Sequence, residues 1–550
     1  MGAIMKAMRS IALLALFPLF ISAQAGLSPA LQTKRVSFHS TADGTTQYYG
    51  LYVPRDLDPA AKLPLIVILH AEESSELASV AQFFAVPGSP GIPSVSPGYG
   101  PRPTQWNAII AAPSGRGTMG FAGIAEQDVY DVLDEVRTRY SVDQDRIYLI
   151  GLSMGGGAAL RLALTRPDVW AAVVAFCPAS QGGEEFAPNA LNLPIRIYQG
   201  EIDPLVPAAS SRAWQKRLLE TGSTVEYFEY PEVRHNAWNI AFRDRGFQPW
   251  LLSHRRNPNP ERVRLVTRSY RYGSAYWLRI DGLTPGTPAS VDARRLSAAE
   301  MRVDTSNVDG LSIASAALEL PGAVIIDGDT VRLKAGAALS FVRSDGHWSA
   351  GSYTPQGKRP GLEGPISAVV STGHIYVYGT ADNPPESELK SRRRVAQEAA
   401  SWSSDRARTS LELPVKADSE LSRAELEDAN LVLLGTRETN SVIRRFEKEL
   451  PLALAPGAAD YGLLFVAPQG KRLLLVSSGV PWWTGAGAAA RSKYQFVPPR
   501  FAVLSSFGDF VLLKGSLDDV VIEGCFDRNW KLPADLSAKL LATGTVSIQK

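Results

Sequence analysis

Cysteine is nearly absent: the 550 residues hold two, Cys177 and Cys525. That excludes a disulfide framework as the main source of stability. Cys177 closes the apolar run AAVVAFC, which predicts a buried free thiol, with a long-range bridge to Cys525 as the alternative. Net charge is almost absent too. Lys and Arg total 57 and Asp and Glu total 55, a balance of +2. No strong attraction to nucleic acid or to an anionic membrane follows from such a balance. Past residue 25 no segment reaches ~18 consecutive apolar residues, so no membrane span is expected in the mature chain. The chain has no H-E-x-x-H pair, no phosphate-binding P-loop and no G-x-G-x-x-G dinucleotide fingerprint, so the reading calls for no cofactor and no metal.

What is present begins at the N-terminus. Lys6 and Arg9 precede a short apolar stretch, Ile11 to Ile21, and Ala23-Gln24-Ala25 fits the small-residue cleavage pattern. Residues 1–25 therefore read as a signal peptide, which predicts a secreted or periplasmic protein. An uncleaved N-terminal anchor is the alternative.

A chain of 550 residues is too long for one core, so several domains are expected. From about 47 to 230, the apolar runs QYYGLYV, LPLIVILH, AIIAAP, RIYLIG, AAVVAFC, IRIYQG and VEYFEY alternate with helical patterns over 125–140, 155–165 and 208–220. Alternating strand and helix predicts an α/β domain over 26–255 with a mostly parallel, doubly wound sheet. RRNPNPER at 255–262 reads as a linker. Short strands separated by glycine turns follow, which predicts a small β-sandwich over 263–353. A second break, TPQGKRPGLEGP at 354–365, precedes HIYVYGT, NLVLLGT, GLLFVAP and KRLLLVSSG, alternating with helix-like 386–402 and 438–449. That pattern predicts a C-terminal α/β domain over 362–550.

The chemistry-bearing stretch is IYLIGLSMGGGAAL at 147–160. Gly151-Leu152-Ser153-Met154-Gly155 is a G-x-S-x-G pentapeptide between a predicted strand and a predicted helix, the context of a nucleophile elbow. Glycines on both sides let strand and helix approach closely, and the serine hydroxyl stands clear of the sheet. A serine hydroxyl needs a base, and six histidines are available. His235 follows the strand VEYFEY, in a loop expected at the sheet's carboxyl edge, and is the predicted base. Asp203, in GEIDPLVP after the strand IRIYQG, is the predicted acid, ahead of Glu201 and Asp168. The Met154 N–H is the predicted first oxyanion donor, and the backbone of Ala71 or Glu72, after LPLIVILH, the second. His70 reads as a residue that shapes this loop. Trp238, Trp106 and Phe121 are candidate pocket aromatics, with core packing as the competing reading.

These motifs resemble the polyhydroxybutyrate-depolymerase and feruloyl-esterase-like branch of the α/β-hydrolases, and also prolyl-oligopeptidase catalytic domains. The stretches that carry the resemblance are LYVPRDLDPAAKLPLIVILH, GIAEQDVYDVLDEVRTRYSVDQDRIYLIGLSMGG, GEIDPLVP and RHNAW, within residues 40–240. The family's nucleophile, acid and base fall on Ser153, Asp203 and His235, and Ala71 stands where the family usually has glycine. The resemblance implies an α/β-hydrolase fold and two-step acyl transfer to water, on a small-molecule or polymeric ester. A prolyl-oligopeptidase-type serine peptidase is the alternative. It is the weaker one because the stretch before the first hydrolase strand is too short for a propeller. An inactive hydrolase fold used for binding is a third reading, which the intact Ser–Asp–His order opposes.

Overall fold

A computed structural model describes residues 33–55, 61–72, 74–84, 106–179, 181–244, 246–404, 407–484 and 497–549. The signal-peptide reading, residues 1–25, lies outside the described residues. No helix among the described residues is long and apolar enough to cross a membrane.

The first unit is an eight-stranded sheet. Its strands are β1 (Lys34–His39), β2 (Thr46–Tyr52), β3 (Leu63–Leu69), β4 (Ile109–Pro113), β5 (Val142–Leu152), β6 (Ala172–Phe176), β7 (Ile195–Gly200) and β8 (Val225–Tyr230). They lie in the order β1-β2-β4-β3-β5-β6-β7-β8. β1 and β2 run antiparallel to their neighbours, and β3 to β8 pair in parallel. Every residue of β3, β4 and β6 is buried, because helices cover both faces of the sheet. Helices α1 (Glu76–Ala81), α2 (Ile124–Arg139), α3 (Met154–Thr165) and α4 (Ala208–Glu220) connect the strands. α2 turns Val129, Val132, Leu133 and Val136 to the sheet, at the spacing its apolar stripe predicts.

Chain order reverses between β3 and β5. β3 is followed by β4 on one side, and β5 then opens the other half of the sheet. The carboxyl ends of strands flanking such a switch point frame a crevice where ligands bind in open α/β sheets. Leu69 and Leu152 mark those ends, and the residues following each belong to the predicted site.

Residues 262–350 form two five-stranded sheets that share one apolar core, with Val263, Val291, Met301 and Val324 from one sheet meeting Leu278, Ile280, Leu311 and Phe341 from the other. The sequence runs RVRLVTRSY, AYWLRIDG, ASVDAR, AVIIDG, TVRLKA and LSFVR mark most of these strands, but Glu300–Ser306, Val308–Ile313 and His347–Ala350 lie outside them. Glu300–Ser306 and His347–Ala350 expose alternate or most residues, so no apolar run marks them. The last unit holds a seven-stranded mixed sheet. His374–Tyr378, Val415–Ala417, Asn430–Leu434 and Arg472–Gly479 are parallel, and Tyr461–Gln469, Phe510–Lys514 and Ser516–Gly524 are antiparallel. The helix expected over 438–449 is only Ser441–Arg445: the Asn440 side chain accepts from the N–H groups of Val442 and Ile443 and starts it late, and residues 446–449 are turns.

The stretch 354–365 has no regular structure but is not a loose tether. Lys358 is buried and ion-paired with Asp509 at 2.5 Å, and Glu363 is buried against the backbone N–H groups of Tyr270 and Arg271. Buried ionisable groups need partners to be tolerated, and both have them.

Candidate active site

The turn from β5 into α3 carries Ser153 with φ +54° and ψ −111°, a conformation L-residues rarely adopt. Backbone contacts hold it there. The Ser153 N–H donates to Phe176 O at 2.8 Å, and Ser153 O accepts from Gly157 N and Ala179 N. The flanking glycines are steric requirements. A Cβ on Gly151 would lie 1.9 Å from Gly155 O, one on Gly155 2.3 Å from Leu69 O, and one on Gly157 1.7 Å from Ala179 O. The Met-Gly-Gly-Gly start of α3 has poor helix propensity, and close packing on β3 and β6 compensates.

His235 and Asp203 meet Ser153 in one line. His235 Nε2 lies 2.7 Å from Ser153 Oγ, and His235 Nδ1 lies 2.7 Å from Asp203 Oδ2. An ionised carboxylate only accepts, so Nδ1 carries the proton. Nε2 is then left to accept from the serine hydroxyl. The Asp203 side chain is fully buried, whereas His235 stays partly open. Burial works against ionising Asp203, but the hydrogen bond from His235 and the N–H groups of Val206 and Leu205 outweigh it and hold the carboxyl below the usual range.

Three supporting side chains carry no sequence motif. Gln199, fully buried, donates to Asp203 Oδ2 at 3.1 Å and is itself fixed by the Ser211 hydroxyl at 2.7 Å. Gln181 donates to Met154 O at 3.0 Å. Cys177 is a buried free thiol, as its apolar run predicts, and donates to His235 O at 3.0 Å. Gly200, where a Cβ would meet Arg234 O at 1.9 Å, lets the histidine loop lie against β7. Among the described residues, Cys177, Asp203 and His235 are the one group whose ligand atoms, all within 4.8 Å of one another, could share a cation. Two of the three already share the hydrogen bond described above.

The loop after β3 reaches the same place. Gly155 touches the carbonyls of Leu69 and His70, so the start of α3 and residues 70–72 are in backbone contact. His70 is buried, with Nδ1 2.8 Å from Ala71 O and Nε2 2.8 Å from Ser114 O, and shapes the loop as expected. Ala71 and Glu72 are half-buried at its tip, and Met154 is buried at the first position of α3. Trp238 stands edge-on to His235 with centroids 5.5 Å apart.

Two expected pocket aromatics belong to the core instead. Trp106 is 1% exposed, packs on Phe83 and Phe247 and donates its indole N–H to Phe83 O. Phe121 is fully buried against His70, with centroids 5.0 Å apart. In both, apolar ring area outside the reach of solvent wins over a place at the surface. Of the weaker acid candidates, Glu201 is exposed and accepts from Glu232 N, and Asp168 follows α3 at its far end from Ser153.

The model of the dienelactone hydrolase family matches residues 102–243, which include Ser153, Asp203 and His235. "Putative esterase NocK" of Nocardia uniformis subsp. tsuyamanensis is 32% identical over 196 residues, 32% of this chain and 54% of that protein. Cutinase est1 of Thermobifida alba is 29% identical over 123 residues, 22% of this chain and 40% of that protein. The chain thus spans about half or less of the length of these relatives. Among solved structures, a thermostable esterase is 22% identical with a TM-score of 0.35, covering 42% of this chain and 64% of that one. The ferulic acid esterase of Anaeromyces mucronatus is 18% identical with a TM-score of 0.31, covering 41% and 90%. The chain resembles α/β-hydrolase serine esterases in these matches.

Proposed function

We propose that this chain is an exported serine hydrolase that cleaves carboxylic esters through an acyl-enzyme on Ser153. The observation that carries the reading is the continuous hydrogen-bonded line from Ser153 Oγ through the His235 ring to Asp203. Neutral His235 takes the Ser153 proton at Nε2 as Oγ attacks the ester carbonyl. Asp203 holds the ring in the productive tautomer and stabilises the imidazolium that forms. The Met154 N–H, at the free N-terminus of α3, and the backbone of Ala71–Glu72 receive the negative charge on the carbonyl oxygen. His235 then returns its proton to the leaving alcohol, and water repeats the sequence to release the acid.

The substrate reading rests on what surrounds the line. Ile202 and Leu205, 52% and 65% exposed, flank Asp203, and Trp238 stands beside His235. Apolar surface at this edge suits an acyl group with aromatic or aliphatic bulk, such as feruloyl esters of carbohydrates or a polyester, with acetyl esters as the smallest members. Export rests on the N-terminal pattern of residues 1–25.

A panel of p-nitrophenyl acetate, methyl ferulate, acetylated xylan, a short polyester and a prolyl peptide anilide tests the reading. Wild-type enzyme is expected to turn over esters, and Ser153→Ala to lose about 10⁴-fold or more of kcat. Ester turnover that survives Ser153→Ala contradicts it, and preference for the anilide replaces it with a peptidase.

A further inference from the structure

We propose that the C-terminal unit is a positioning part of the active site: its segment 407–410 holds the loop after β4, and through Phe121 and His70 that loop fixes the oxyanion-stabilising turn at residues 70–72. The inference rests on the acyl-transfer reading above and adds a role for residues that lie more than 250 positions past Ser153 in sequence.

The loop from Ser114 to Gly123 is unusual in its backbone. Gly115, Arg116, Gly117, Gly120, Phe121 and Gly123 all have positive φ. Arg116 and Phe121 carry side chains in that region, a strained arrangement that lasts only where the surroundings over-determine it. The surroundings do so from two sides. On the hydrolase side, the Arg116 guanidinium is buried and paired with Asp128 and Asp43. On the other side, Gly117 forms an antiparallel bridge with Thr409. The Thr118 N–H and hydroxyl both donate to Arg408 O, at 2.9 and 3.0 Å, and the Ser410 N–H donates to Arg116 O at 3.2 Å. A Cβ on Gly117 would sit 2.4 Å from Arg408 O, so the two segments are in contact along their backbones.

The cores divide along this loop and the first residues of α2. Met119 and Ala125, both fully buried, pack among Ile366, Val370 and Phe501 of the C-terminal unit. Phe121, between them in sequence, packs in the hydrolase core instead and presents its ring to His70. One short, strained segment is therefore clamped by the C-terminal unit at its ends and leans on the active site at its centre. His70 passes the constraint on. Its ring is wedged between Ser114 O of this loop and Ala71 O of the turn, 2.8 Å from each. An oxyanion donor loses effect steeply when it is displaced from the developing charge, so slack in the loop reads out in the chemical step.

Contiguity alone does not establish coupling, and a double-mutant cycle does. The variants are made in the full chain. Thr118→Val removes the hydroxyl bond to Arg408 O, Ser410→Pro removes the N–H bond to Arg116 O, and Ser410→Ala is the control that keeps it. Phe121→Leu loosens the contact with His70. Turnover of p-nitrophenyl acetate is expressed per serine labelled by a fluorophosphonate, so misfolded chains do not count. Ser410→Pro and Thr118→Val are expected to lower kcat about tenfold or less while KM stays within about twofold, and Ser410→Ala to leave both unchanged. In the Phe121→Leu background, Thr118→Val is expected to cost nothing further. Unchanged kcat per labelled serine in both Ser410→Pro and Thr118→Val overturns the inference, as does full additivity with Phe121→Leu. Failure of the wild-type serine to label at all would instead overturn the acyl-transfer reading.

Discussion

Asp203 is the residue whose environment is most completely committed. Four donors converge on its carboxylate, from His235, Gln199, Leu205 and Val206, and its side chain has no exposure. Asp203→Asn keeps the shape but gives the His235 ring an amide in place of an anion, which no longer enforces Nδ1–H. The expected loss in kcat is about 10³–10⁴-fold, read by steady-state kinetics with unchanged circular dichroism. Gln199→Leu should act more mildly. It removes one donor to Asp203 and leaves the Ser211 hydroxyl without its acceptor, costing about 1–3 kcal/mol of stability by denaturant titration. The pH effect at Asp203 has a definite sign. Its carboxyl is held below the usual range, so its contribution to stability is present above the ordinary carboxylate range and is lost as pH falls through the lowered value.

At the level of elements, the strand–turn–helix around Ser153 depends on glycines more than on any favourable side chain. Gly157→Ala would place a Cβ 1.7 Å from Ala179 O, on backbone that cannot yield without moving β6. A loss of about 3 kcal/mol or more is expected, visible as a lower melting temperature and as weaker fluorophosphonate labelling of what remains folded. This element was legible in the sequence because its requirements are local: a buried strand, a G-x-S-x-G turn and small residues after it. Asp203 and His235 were legible for a related reason, since each follows its own apolar strand. The places of Gln199, Gln181 and Cys177 beside the Ser153–His235–Asp203 line were not, although the burial of Cys177 was, because nothing local distinguishes a buried polar side chain aimed at that line from one satisfied elsewhere. Trp106 and Phe121 misled for the same reason. A large aromatic near a strand end suits a core and a pocket equally, and only the packing of Phe83, Phe247 and His70 around them decides.

Across the whole molecule, apolar periodicity marked the three successive textures of the chain, but not how they join. Lys358 and Glu363 lie in a proline- and glycine-rich stretch that reads as a tether, yet both are buried and partnered by residues far away in sequence. Buried ionisable groups at this junction predict a pH signature. Burial pushes the Glu363 carboxyl up to about 7 from 4.5, against the donors around it, so the native state holds an extra proton between those values. Its contribution therefore falls as pH rises through that window, by about 3 kcal/mol in all. Burial pushes the His374 imidazole down to about 4 from 6.5, so there the unfolded chain holds the extra proton and stability rises with pH. The two slopes oppose each other between about pH 4.5 and 6.5. Glu363→Gln removes one of them, and its melting temperature, followed by calorimetry from pH 4.5 to 7, is expected to climb more steeply than that of the wild type. A variant curve parallel to the wild-type curve contradicts this assignment.

Ser153, as a nucleophile activated by His235 and Asp203, should react with a serine-directed phosphonylating probe. Intact-mass and peptide mass spectrometry after treatment with a fluorophosphonate tests it most directly. One adduct per chain is expected, on the peptide containing Ser153, absent from Ser153→Ala and strongly slowed in His235→Ala. A folded wild-type chain that takes up no adduct, or takes it up on another residue while Ser153 stays free, would contradict it.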